Sequence, residues 1–332
     1  MLIDIYGLVI KCHSESPELL TGLLRPFKHF IKDSGLPSVN IFINDIEPPY
    51  ESFPRLKACF STPRNIVFKG GGLKIIDYFG SGVVLEEDGG QKFTVYGKDP
   101  NFLQEAFYLL VMSLFGQSCD KKGVLRIHAL TFSFRDTAII FSAQAGGGKS
   151  TMAFGLLENN NFRLISDDEA IVTESGHVLP LPLRVGTLDE DKIKSIPDKY
   201  VYRIDRMEFG SKYFVDMEYW NDRLETRELG KKIYFIAHRL INGDPYIEKC
   251  SRYRAMASPM GSAVIGFGLY QGMEFVFNNP PRELMSRLPV FLRRIASAIN
   301  FIKGTESYQI YLSRDTEKNI RVFEEFILSL KL

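Results

Sequence analysis

Ala143-Gln-Ala-Gly-Gly-Gly-Lys149-Ser150-Thr151, followed eighteen residues after the lysine by Asp167-Asp168, decides how this chain is read. Gly146, Gly147 and Gly148 let successive backbone N–H groups turn inward and cradle anionic oxygens. Lys149 sets a point charge on the outer phosphates of a nucleotide, and the Ser150 hydroxyl suits Mg²⁺. Ser150 or Thr151 is expected to open a helix whose positive dipole end also faces the phosphates. Ala143 stands where the usual GxxxxGK[ST] pattern begins with glycine, a small change provided its φ stays negative.

The flanks supply the context that such a loop needs. Thr137-Ala-Ile-Ile-Phe-Ser142 is an apolar run that reads as a buried strand, and Thr151 to Leu157 reads as helix. A turn and a second strand, Phe162-Arg-Leu-Ile165, would return the chain beside the first strand in a βαβ step. Asp167 and Asp168 would then stand at a carboxyl strand end, where open α/β sheets bind ligands. One carboxylate can hold Mg²⁺ while the other takes the proton of an attacking hydroxyl, as a kinase base does. The candidate phosphate-binding residues are Ala143, Gly146, Gly147, Gly148, Lys149, Ser150 and Thr151. Ser150 and Asp167 are the candidate metal ligands. Asp167 and Asp168 are both candidate catalytic groups, and the sequence does not divide the two roles between them.

Phe141-Ser-Ala-Gln-Ala-Gly-Gly-Gly-Lys-Ser-Thr151 with Leu164-Ile-Ser-Asp-Asp168 resembles the catalytic domain of the HPr serine kinase family. It is also similar to the GKTT…DDEH core of ATP-dependent phosphoenolpyruvate carboxykinase, which Asp167-Asp-Glu-Ala170 echoes. Arg126-Ile-His-Ala129 is similar to the "HG" or "HA" strand of the kinases. Gly176 to Arg184 looks like their proline-marked run, and Glu306 to Leu312 with a terminal helix also matches. The resemblance spans about Gly123 to the C-terminus. It implies an α/β fold, a P-loop kinase-like domain of the HPr kinase/phosphoenolpyruvate carboxykinase type with a mixed sheet. It implies phosphoryl transfer from ATP with Mg²⁺, most naturally to a serine of a peptide or protein. Thr151 stands where HPr kinases carry Glu, and their EIRGLGI signature is absent, so HPr itself is not implied as the acceptor.

By the same resemblance, His128 sits near the phosphates or the attacking group, whereas by sequence alone it is one histidine in a strand from Val124 to Phe134. A cation on the transferring group would help the reaction. Arg184, which closes the proline-marked run, is the candidate, with Lys212 behind it. His13, His29, His177 and His238 are scattered, without the spacing of a metal cluster. A small-molecule hydroxyl kinase and a non-catalytic nucleotide-binding partner protein are the alternatives to a peptide or protein kinase.

A length of 332 residues suggests about two domains, placed at 1–119 (a smaller α+β domain for packing or substrate selection) and 120–332 (the kinase-like part). The balance of 41 Lys+Arg against 40 Asp+Glu provides no global field for nucleic acid or acidic membranes. Four isolated cysteines without CxxC, and no signal-like N-terminus, fit a cytoplasmic protein. Ala255 to Phe277 is apolar but broken by Gln271 and Glu274, so core packing is expected there rather than a membrane span. Self-association into a homo-oligomer is left open. In the first third, one strand over Leu2–Lys11, a helix over Pro17–Lys32, short strands and a helix from Asn101 to Gly116 predict a small antiparallel α/β domain. Later, Lys232 to Leu240 reads as strand, Arg282 to Ile302 as helix, and Asp315 as the cap of the last helix. Thr187–Asp205 and Asn221–Lys232 read as surface loops.

Overall fold

The computed structural model describes residues 1–144, 146–206, 210–261, 281–330 and 332, and over 281–287 the backbone alone. The described chain falls into two compact units. The first holds Met1–Ser118 and Tyr202–Tyr213; the second holds Cys119–Val201, 214–261 and Arg282–Leu332. Among the described residues no helix is long and apolar enough to cross a membrane.

In the first unit β1 (Leu2–Ile5), β2 (Leu8–Ser14), β3 (Ile31–Lys32), β4 (Val39–Asn44), β5 (Ala58–Ser61), β6 (Ile66–Gly70), β7 (Leu73–Asp77), β8 (Val83–Glu87) and β9 (Lys92–Tyr96) form one sheet. Its order is β3-β1-β2-β4-β9-β8-β7-β6-β5. The sheet is mixed rather than antiparallel, because β2–β4 and β4–β9 pair in parallel. Leu2–Lys11 is a hairpin and not one strand: Tyr6 and Gly7 both have positive φ and reverse the chain. The helix expected over Pro17–Lys32 stops early. Helix α1 runs Pro17–Leu24, and Pro26, which has no N–H to donate, starts a 3₁₀ segment, Arg25–Phe30. Helix α2 (Pro100–Lys121) follows, with Phe107 packing edge-on to Phe27.

In the second unit β10 (Leu125–Phe134) and β11 (Thr137–Ala143) form a hairpin, turned at Arg135 with φ 53°. Helix α3 (Lys149–Glu158) leads to β12 (Phe162–Ser166), β13 (Glu169–Val172), β14 (Val178–Leu179) and β15 (Arg184–Thr187). Two short strands come next along the chain, β16 (Val201–Arg206) and β17 (Gly210–Asp216), most of whose residues belong to the first unit's Tyr202–Tyr213 segment, so the expected loop Thr187–Asp205 in fact ends in strand. β18 (Lys231–Arg239), β19 (Tyr246–Lys249) and β20 (Glu306–Leu312) complete an eight-stranded mixed sheet, ordered β14-β13-β10-β11-β18-β20-β19 with β12 also on β10.

Every residue of β11 is buried, because both faces of its sheet are covered. Ile139 and Phe141 join a core with Met152 and Leu156 of α3, Phe235, and Phe323 and Ile327 of the terminal helix Thr316–Ser329. Ala138 and Ile140 join the opposite core, with Tyr234, Ile236, Ala255 of α4 (Arg252–Pro259), and Phe301 of the helix Pro281–Lys303. Ala255 thus packs in the core as expected, while 262–280 of that apolar stretch lie outside the described residues. Asp315 caps the terminal helix by accepting from Lys318 N at 3.1 Å.

One topological expectation is corrected. β12 does not lie beside β11; it pairs antiparallel with β10, which intervenes. The reason is local. β10 precedes β11 and is joined to it by a tight turn, so it claims the adjacent edge first, and α3 must carry the chain over the hairpin to the next free edge. β11 and β12 still run in the same direction, each being antiparallel to β10.

Candidate functional site

The loop after β11 is shaped by its glycines. Gly148 is the N-cap of α3 with φ 92°, and Gly146 has φ 71°, conformations that a side chain disfavours. Gly147 is required for space: a Cβ there would come within 2.8 Å of both Ala143 Cβ and Gln144 O. Its N–H donates to Gln144 O at 2.8 Å and closes the turn, so this N–H is spent within the loop rather than turned inward as expected. Ala143 is not among the residues with positive φ, which meets the one condition that its replacement of glycine imposed. Helix α3 begins at Lys149 itself, slightly earlier than expected. Lys149 Nζ donates to Ala143 O at 2.7 Å, folding back across the loop. Ser150 and Thr151 follow in the first turn, and Ala145 lies outside the described residues.

The paired aspartates arrive at the same end of the sheet by another route. Ser142 and Ala129 are register partners on β11 and β10, and Ala129 N donates to Asp168 O at 3.1 Å. The two aspartates therefore stand two strand spacings from the phosphate-loop strand, about 10 Å. Ser166 Oγ accepts from Glu169 N at 3.3 Å and closes the turn that presents them. Asp167 is buried and accepts from Gly186 N through Oδ2 at 3.2 Å, whereas Asp168 is half-buried.

His128 joins this group: its Nδ1 lies 3.1 Å from Asp168 O, so the ring donates there. Ser142 Oγ donates to His128 O at 3.5 Å and shares a 3.1 Å bond with Ser258 Oγ, which accepts from Tyr234 Oη at 2.7 Å. Burial pushes the Tyr234 phenol up to about 12, so it remains a donor. The proline-marked run also reaches the site, since Leu181 N donates to Ile165 O at 2.9 Å and Gly186 holds Asp167. Arg184 opens that last strand, but its guanidinium lies over the Phe214 ring at 4.0 Å. Lys212 belongs to the Tyr202–Tyr213 segment of the first unit.

Three features were missed by sequence reasoning. Arg239, at the end of β18, donates to Gly146 O at 3.5 Å. It comes to the loop only because β18 pairs in parallel with β11, Ala237 opposite Ala143. His238 precedes it and faces a cavity beside the loop. Glu169 is the third: it is buried against Arg126 at 3.4 Å, and burial raises its carboxyl above the ordinary value more than the guanidinium lowers it. A charged residue beside a run of strand apolars was the available signal for Glu169; nothing in the sequence pairs β18 with β11.

The oxygen donors at this strand end, the Ser150 hydroxyl and the Asp167 and Asp168 carboxylates, are of the hard type that Mg²⁺ accepts. Among the described residues no group of three or more His, Cys, Asp or Glu side chains is placed to hold a metal ion. No family model matches the chain and no curated protein matches it significantly, so its assignment rests on the geometry of this site.

Proposed function

We propose that the protein is an ATP- and Mg²⁺-dependent phosphotransferase acting on a hydroxyl, with a serine of a peptide or protein as the acceptor class, on a P-loop kinase-like domain. The observation that carries the reading is that the strand leading into Lys149's loop and the Asp167–Asp168 turn flank His128–Ala129 at one end of the sheet. A loop that only bound nucleotide would have no use for a second carboxylate there.

In this reading the loop from Ala143 to Thr151 holds the phosphates through backbone N–H groups, Lys149 and Ser150. Lys149 exchanges its bond to Ala143 O for phosphate oxygens. Asp167, held in place by Gly186 N, is the metal ligand together with Ser150. Mg²⁺, when bound, neutralises charge on the phosphate oxygens. Asp168 is the more accessible carboxylate and takes the proton as the acceptor oxygen bonds to the γ-phosphorus and the bond to the ADP oxygen breaks. His128, donating to Asp168 O, positions that turn rather than touching the transferred group.

The test is Mg²⁺-ATP turnover by the full chain with serine peptides and hydroxylated metabolites as acceptors, wild type beside Asp168→Asn. Acceptor-dependent turnover that falls by at least about a hundredfold in the variant, with ATP affinity retained, is expected. Undiminished turnover in Asp168→Asn would remove Asp168 as the base, and failure of the wild type to bind ATP would end the nucleotide reading altogether.

A further inference from the structure

On the side of β11 away from the aspartates, the ends of β11 and β18 and helix α4 line an open cavity of about 770 Å³. That size lies within the range of pockets that bury small organic ligands, about 300–1,000 Å³. Its wall includes Ser142, Gln144, Ile236, His238, Met256 and Gln309. Ser142, Ile236 and Gln309 are register partners across three adjacent strands, so they form one continuous floor on one face of the sheet.

One edge of this floor carries an aromatic ladder. Tyr246, Tyr311 and His238 are register partners on β19, β20 and β18. Their rings stack: Tyr246 on Tyr311 at 4.5 Å and 13°, and Tyr311 on His238 at 5.2 Å and 28°. Hydrogen bonds fix the planes. The Gln309 amide donates to His238 Nε2 at 3.2 Å, and Tyr311 Oη shares its one proton between Gln309 Oε1 at 3.2 Å and Glu248 Oε1 at 3.1 Å. The ladder ends at His238. The next position in the row belongs to Gln144, which follows Ala143, the partner of Ala237, and there the backbone turns away into the phosphate loop. The His238 face away from Tyr311 therefore looks over the cavity.

We propose that this cavity is the nucleoside subsite of the phosphate loop, with a planar base stacking on His238 as the fourth rung of the ladder. The inference rests on the nucleotide-binding reading above and adds to it the place of the base. Successive residues of a strand face opposite ways, so His238 serves the base while Arg239, bonded to Gly146 O, reaches the loop on the phosphate side. The arrangement also separates the two substrates. With the nucleoside over β18 and the phosphates at the end of β11, the side of the loop toward Asp167 and Asp168 is left for the acceptor.

The experiment is calorimetric titration of the full chain with Mg²⁺-ATP and, separately, with Mg²⁺-tripolyphosphate, for wild type, His238→Ala and His238→Phe. Stacking on an aromatic ring contributes enough that His238→Ala should weaken ATP about tenfold and leave tripolyphosphate unchanged, while His238→Phe holds ATP within about twofold of wild type. Equal loss of both ligands in His238→Ala, or ATP binding untouched by it, would overturn the subsite. Tripolyphosphate binding by wild type with no gain for ATP would overturn it too, yet leave the phosphate loop standing. If wild type takes up neither ligand, the nucleotide reading itself falls and the subsite with it.

Discussion

Removing Arg126 should destabilise the second unit strongly at pH 8 and much less at pH 5. Its guanidinium and the Glu169 carboxylate are 3.4 Å apart, with side chains 4% and 3% exposed. Breaking a buried pair by deleting one partner costs about 3–5 kcal/mol, since the other charge stays in the protein without its counterion. In Arg126→Met that stranded group is a carboxyl, which can escape the cost by taking a proton. Its pKa already lies above the ordinary 4.5 because burial outweighs Arg126. A carboxyl raised in the folded state binds more protons folded than unfolded between the two pKa values. Stability therefore falls as pH climbs from about 4.5 toward the folded value, and without Arg126 that folded value moves higher still. Glu169→Leu instead removes the carboxyl and leaves a guanidinium that cannot deprotonate, so its penalty should not grow with pH and should be smaller at pH 8, where the wild type alone has lost the contribution of its raised carboxyl. Replacing both, Arg126→Met with Glu169→Leu, removes both desolvation costs and should come within about 1 kcal/mol of wild type or exceed it. Urea unfolding followed by fluorescence reads this out cleanly. Trp220 is the only tryptophan, is 8% exposed, and packs 5.6 Å from Phe154 in the second unit's core. Equal penalties for Arg126→Met at pH 5 and pH 8, or a double variant as unstable as the sum of the singles, would refute the reasoning.

Gly147→Ala should weaken tripolyphosphate binding about tenfold while the Trp220 unfolding midpoint barely moves, because the new Cβ would press on Ala143 Cβ and Gln144 O, each at 2.8 Å, and the loop itself must shift. Wild-type affinity would show that phosphates do not bind there. Asn319→Leu should cost about 2–4 kcal/mol by the same unfolding measurement: Asn319 is 7% exposed, accepts from Ser313 N at 2.8 Å and donates to Ser313 O at 3.0 Å, and both backbone groups would be left unmatched. A loss under about 1 kcal/mol would mean that water replaces the amide.

Much of the candidate site was legible in the sequence because its parts are local. A run of apolar residues, three glycines and Lys-Ser-Thr specify strand, turn and helix over neighbouring positions, and β11, the loop and α3 form as expected. Asp167 and Asp168 directly follow a strand that ends at Ser166 and sit at its carboxyl end for the same reason. Local signals were weaker where one residue had to interrupt a good pattern. The apolar periodicity of Pro17–Lys32 hides the break that Pro26 imposes, and the alternation of Leu2–Lys11 hides the reversal at Tyr6–Gly7.

What only the tertiary structure decided is which strands are neighbours. The sequence by itself determined that a phosphate-loop-like turn follows a buried strand and that two carboxylates follow the next one. It did not contain the insertion of β10 between those strands, which sets β11 and the aspartates two strand spacings apart. Nor did it contain the parallel pairing of β18 with β11, residues far apart in the chain, which brings His238 and Arg239 to opposite faces beside the loop. The physical reason is that turn and helix formation depend on contacts within a few residues, whereas strand pairing is chosen by burial of whole faces. Ile139, Phe141, Ile233 and Phe235 are apolar on any neighbour they might have taken, and only the packed core selects one.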